Sequence, residues 1–166
     1  MSSKRSLNLT IAFATATFVG GCQTSVPEGS GGNPPEVTIP EVEYLTTPEQ
    51  EELGLPFSEA VRVGNMLYLA GQVGNVPGAL EVVEGGIVQE TRQTMENIRA
   101  VLERHGSSMD RVVKCTVMMD QIELWGSFNE VYADFFPDHK PARSAFGADG
   151  LALGAAVEVE CWATVD

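Results

Sequence analysis

Histidine is nearly missing, with two in 166 residues, and cysteine occurs only three times. No two of these residues stand at a metal-ligand spacing, so no metal centre is expected. Positive charge is scarce as well: ten Lys and Arg face 23 Asp and Glu, a formal net charge of −13. Such a surface repels phosphate, which removes nucleic acids from the expected partners. It reads instead as a solvated acidic coat. The apolar stretch from Leu7 to Val19 carries no charge but is short for a membrane span.

What is present begins with that stretch. Lys4 and Arg5 precede it and Val19-Gly20-Gly21-Cys22 follow it, the layout of a bacterial export signal. A cysteine directly after two glycines resembles the lipobox of bacterial lipoproteins. That resemblance implies cleavage before Cys22 and lipidation of its sulfur. Gln23 is not the inner-membrane retention signal of such proteins, so the expected address is the periplasmic side of the outer membrane. Residues 1–22 are thus the expected signal peptide. Residues 23–40, with Gly29, Ser30, Gly31, Gly32, Pro34 and Pro35, read as a flexible tether. Residues 41–166 amount to one domain with room for a core.

Within the domain, Val42 to Leu45 reads as an edge strand and Thr46-Thr47-Pro48 as a turn. Ala60 to Val63 and Met66 to Ala70 flank Gly64-Asn65, a pair suited to the positive φ of a tight hairpin turn. From Gly86 the period changes. Ile87, Thr91, Met95, Ile98, Val101 and Leu102 recur at three- and four-residue steps, an amphipathic helix closed by Gly106. Arg111 to Met119 reads as a strand. Leu124, Phe128, Val131, Tyr132 and Phe135 mark a second helix that Pro137 stops. Strands near Ala142 to Ala148 and Ala155 to Thr164 finish the chain. This order predicts an α+β sandwich, one sheet with two helices on one face. The strands carry apolar residues on both faces, Val113 and Val117 against Val112 and Met118. Two helices cover only one face, so self-association through the sheet is expected.

Cys115 and Cys161 both lie in apolar strand runs. Buried free thiols are the expected state, with a disulfide the alternative that an oxidising compartment permits. His105 and His139 stand alone and read as ordinary residues at helix ends.

The chemistry concentrates near the C-terminus, in Pro141-Ala142-Arg143-Ser144-Ala145-Phe146 and Val157-Glu158-Val159-Glu160. A guanidinium stays charged and grips a carboxylate with two parallel hydrogen bonds. A glutamate on another strand can take a proton or hold a water. The bland alternative is a salt bridge of Arg143 with Glu158 or Glu160 inside the sheet.

These segments resemble a known family when taken with others in order: Pro56-Phe57-Ser58-Glu59-Ala60-Val61, Ala70-Gly71-Gln72, Gly85-Gly86-Ile87, Gln89-Glu90-Thr91-Arg92-Gln93-Thr94-Met95-Glu96-Asn97-Ile98, and Phe128-Asn129-Glu130-Val131-Tyr132. From about Val42 to the end the chain is similar to the Rid family, the reactive-intermediate (imine/enamine) deaminases. The resemblance implies a chorismate mutase-like fold and a homotrimer closed through its sheets, with active sites between subunits. It implies hydrolysis of 2-imino acids and their enamine tautomers, such as 2-aminoacrylate, to 2-ketoacids and ammonia, without a cofactor. Arg143 matches the carboxylate clamp and Glu158 the residue that positions water. Phe57, Ala70, Gly71, Asn129 and Ala145 fall at substrate-contacting positions, and Glu160 reads as a structural carboxylate.

The chain departs from the family pattern in several places. Phe57 stands where members often have Tyr, Ala70 where Ser is common, and Ala145 where Cys is common. Asp149 and Leu151-Ala152 differ from the usual apolar-then-Leu-Pro run. These changes make the pocket more apolar and argue against thiol chemistry. The alternative function is a non-catalytic trimer that binds small carboxylates or shields apolar surfaces as a chaperone does.

Overall fold

A computed structural model describes residues 38–166. The expected signal peptide, Cys22 and most of the tether lie outside the described residues. The elements in order are β1 (Val42–Leu45), α1 (Pro48–Leu53), β2 (Ala60–Val63), β3 (Met66–Leu69), β4 (Gln72–Val73), α2 (Gly86–Arg104), β5 (Val112–Met119), α3 (Trp125–Asp134), β6 (Ala142–Gly147) and β7 (Val157–Thr164).

The strands form one mixed sheet in the order β1-β2-β3-β7-β5-β6, with β4 also paired to β7. Among the described strands only β5 and β6 run parallel. The hairpin from β2 to β3 turns through Gly64-Asn65, where Gly64 takes φ +57 and Asn65 stays at negative φ. A single positive angle at the first turn position suffices to match the strands' twist.

One sheet face is the floor of the core. Cys115, Val117 and Met119 on β5 alternate with half-buried neighbours, Val157, Val159, Cys161 and Ala163 on β7 alternate with half-buried or exposed ones, and all seven are buried. Met95, Ile98 and Leu102 of α2 and Phe128 of α3 bury their side chains in the same core. The α+β sandwich expected from the sequence is therefore the observed fold. Its details differ at three points. A register shift between Val112 and Lys114 turns Val112 into the core and leaves Val113 exposed, the reverse of strict alternation. The other face is more polar than expected: Lys114, Thr116, Glu158 and Glu160 share it with Met118 and Trp162. The stretch read as a turn at Thr46-Thr47-Pro48 opens α1, where Thr47 and Gln50 form a capping box and Pro48 fills the first helical position.

The free-thiol expectation for Cys115 and Cys161 is overturned. They stand directly opposite each other on the adjacent strands β5 and β7, with Cα atoms 4.2 Å apart, and form a disulfide. The register puts both thiols on the same face at the same level, which sequence spacing does not reveal. His105 is not alone either. Its Nε2 lies 2.8 Å from Glu59 Oε2, and Arg104 pairs with the same buried carboxylate, pinning the end of α2 to the start of β2.

Candidate active site

Arg143 on β6 lies beneath α3. Trp125, Phe128, Asn129 and Tyr132 recur at three- and four-residue steps and so share one face of that helix. The guanidinium carbon sits 4.8 Å from the Trp125 ring centroid, 5.5 Å from Phe128 and 4.7 Å from Tyr132. These are cation–π distances, and they hold the group by its faces. Nη2 donates to Asn129 Oδ1 at 2.8 Å. Among the described residues no carboxylate pairs with Arg143, so the salt-bridge alternative does not hold. The guanidinium, Asn129, Tyr132 and Lys140 line a cavity of about 330 Å³. Ala145 lies two residues further along β6, on the same sheet face, against the core.

Glu158 on β7 has a different setting. A Cβ built on Gly71 would lie 1.9 Å from Glu158 Oε1, so the carboxylate rests against the Gly71 backbone. Burial, and next the neighbouring charge of Glu160, raise the Glu158 pKa above the ordinary glutamate range. Ala70, adjacent to Gly71, lines with Phe57 a second cavity of about 490 Å³ whose other walls include Tyr44, Tyr68 and Leu69. Gly71 takes no positive φ, so Ala fits its backbone and only the carboxylate must move. Gly71→Ala is expected to leave the fold intact and displace Glu158. If Glu158 positions water, as the resemblance implies, steady-state kinetics should then show kcat lower by about a hundredfold, the scale of a lost acid–base group.

The two settings do not meet within one chain. Arg143 is level with Cys115 on β5, and Cys115 is level with Cys161 on β7. Glu158 is an odd number of residues from Cys161, and side chains alternate along a strand. Arg143 therefore points to the helix face and Glu158 to the opposite one, with β5 between their strands. The structure brings Arg143, Asn129 and Ala145 together, and separately Glu158 with Gly71, and Phe57 with Ala70. Sequence reasoning missed Trp125, Tyr132 and Lys140 around the guanidinium. Trp125 and Tyr132 carried a usable signal, their helical spacing to Asn129.

Taken as a whole, the chain is similar to known proteins. The family model described as Endoribonuclease L-PSP matches residues 50–165. This chain belongs to that family, the Rid family. Among curated Rid relatives, a RutC family protein of Pyrococcus horikoshii is 41% identical over 105 residues, covering 63% of this chain and 83% of the relative. The 2-iminobutanoate/2-iminopropanoate deaminase of Mus musculus is 37% identical, covering 63% of this chain and 78% of the mouse protein. The crystal structure of RidA from an Antarctic Psychrobacter superposes with a TM-score of 0.64 at 34% identity, covering 67% of this chain and 89% of that one. Yeast Mmf1 superposes with a TM-score of 0.68 at 30% identity, covering 76% and 100%. Relatives named imine deaminases support deamination of reactive intermediates as an activity of the family.

Proposed function

We propose that this Rid-family chain hydrolyses 2-imino acids and their enamine tautomers to 2-ketoacids and ammonia, in sites shared between copies of a homotrimer. The observation that carries the reading is Arg143, a guanidinium held by aromatic faces and one amide with no carboxylate partner among the described residues. Its remaining donors are free to take a substrate carboxylate in the bidentate manner. Glu158, on the opposite sheet face, comes from the neighbouring subunit and completes the site. Exposed Phe146 and Trp162 lie on that outer face and support its burial in the assembly.

The chemistry needs orientation more than a strong nucleophile, because a protonated imine is already electrophilic. Water attacks the imine carbon and gives its proton to the Glu158 carboxylate. The tetrahedral carbinolamine takes that proton back on nitrogen. The C–N bond breaks as the remaining hydroxyl proton passes to the Glu158 carboxylate and the carbonyl forms; the departing ammonia takes that proton, giving ketoacid and ammonium. Phe57, Ala70 and Ala145 supply no hydroxyl or thiol, so no covalent intermediate is invoked.

Ionised Glu158 is the active form, so the rate falls as pH drops through its raised pKa. Glu160→Gln removes the like charge that helps raise that pKa. The acid limb of the kcat/KM profile is expected to move to lower pH, with the plateau little changed.

Residues 1–22 would direct export, and a lipid on Cys22 would tether the trimer to the periplasmic side of the outer membrane. The Cys115–Cys161 disulfide supports an oxidising address. The net charge of −13 weighs against the ribonuclease activity in the family model's description. The test is ketoacid release by residues 23–166 from imines made in situ by an amino-acid oxidase. Release faster than buffer supports a deaminase. No acceleration from a trimeric preparation would favour a non-catalytic carboxylate-binding protein instead.

A further inference from the structure

The cleft beside Arg143 holds more than a single carboxylate needs. Tyr132 is 7% exposed, and its Oη makes no hydrogen bond among the described residues. Buried hydroxyls almost always find a partner; those of Thr91 and Thr94 also lack one, and of the three only Tyr132 lines the cleft. Burial pushes the Tyr132 pKa up to about 12 against the opposing pull of Arg143, so the hydroxyl keeps its proton and can donate.

Lys140 lines the same cavity. Its Nζ donates to the Phe136 carbonyl at 3.1 Å, which ties the ammonium to the cleft wall and leaves further hydrogens to give. Acids outnumber bases more than twofold in this chain, and Arg92, Arg99, Arg104 and Arg111 each pair with a carboxylate. Among the described residues Lys140 and Arg143 do not. Arg62 and Lys114 also lack one, but they bond to backbone carbonyls and to Ser144, away from this cleft. Lys140 stands three positions before Arg143, so their Cα atoms are at most about 11 Å apart. Phe136, Ala133 and Pro141 supply apolar walls, which strengthen the pull of both charges on an anion.

We propose that Tyr132 and Lys140 form a second carboxylate subsite beside Arg143, selecting 2-imino acids that carry a carboxylate on the side chain. The inference rests on Arg143 as the clamp for the first carboxylate. A short monocarboxylic imine engages Arg143 alone and leaves the Tyr132 hydroxyl unpaired. A dicarboxylic one satisfies all three groups, and a site built for a polar group discriminates against ligands that lack it. Such a substrate would be supplied by oxidation of an acidic amino acid.

The test is calorimetric titration of 2-oxoglutarate and 2-oxobutanoate into the wild type, Lys140→Gln and Tyr132→Phe. Turnover of imines generated from glutamate and from alanine is measured in parallel. The wild type is expected to bind 2-oxoglutarate more tightly than 2-oxobutanoate by roughly tenfold or more, as befits a charge-assisted hydrogen bond. Each variant should lose most of that preference, its 2-oxoglutarate affinity falling further than its 2-oxobutanoate affinity. Equal affinities in the wild type, or equal losses for both ketoacids, would overturn the subsite. Turnover of both imines without preference overturns the subsite and leaves the deaminase reading standing. Selective 2-oxoglutarate binding with no turnover of either imine supports the subsite and overturns that reading.

Discussion

Arg143→Ala is expected to abolish both substrate binding and turnover, whereas Glu158→Gln keeps carboxylate binding and loses turnover. Arg143 is part-buried among Trp125, Phe128 and Tyr132, and the Asn129 amide is its only hydrogen-bond partner among the described residues. Losing the guanidinium removes the only charge near Asn129 that can pair bidentately with a substrate carboxylate. Removing the Glu158 carboxylate leaves that clamp untouched, because Arg143 is held by Trp125, Phe128, Tyr132 and Asn129 and not by Glu158. A drop of about a hundredfold or more in kcat with ketoacid affinity retained is the signature of a lost proton acceptor. Ketoacid titration and in situ imine turnover, run on the same preparations, check both halves. Full turnover by Glu158→Gln would remove the glutamate from the mechanism.

Folding the protein in the presence of a reductant is expected to cost roughly 4 kcal/mol of stability, the loop-closure entropy of a bridge spanning 46 residues. Both cysteines are fully buried between β5 and β7, at the floor of the core, so the native bond is shielded from reductants and the unfolded chain is where reduction acts. A loss of that size lowers Tm by about 10 °C or more for a domain of this length. Thermal melts of oxidised and reduced-and-refolded protein make the comparison. Coincident melts would mean the bridge adds nothing to the fold.

Much of the fold was legible because its period is strong. The α2 face of Met95, Ile98 and Leu102 and the Gly64-Asn65 hairpin follow from local rules, and the structure repeats them. α1 escaped notice because it buries nothing, although Thr47, Pro48 and Gln50 spell a capping box. β4, two residues long, offers no pattern to read. The site was legible as residue types but not as an arrangement. Alternation orders side chains within one strand, yet the relative facing of Arg143 and Glu158 depends on how β6 and β7 each register against β5. Register is a tertiary property, and it also decided the disulfide. Lys140 and the Tyr132 hydroxyl were invisible for a similar reason: their meaning lies in the partners they lack.

The most direct measurement mixes two inactive proteins. Arg143→Ala and Glu158→Gln are unfolded together in equal amounts, refolded, and assayed for ketoacid release. If each site takes Arg143 from one copy and Glu158 from its neighbour, random assembly regenerates intact sites at roughly one interface in four. About a quarter of wild-type activity is then the expected result. No recovery from mixtures shown to contain hybrid trimers would contradict a site shared between subunits.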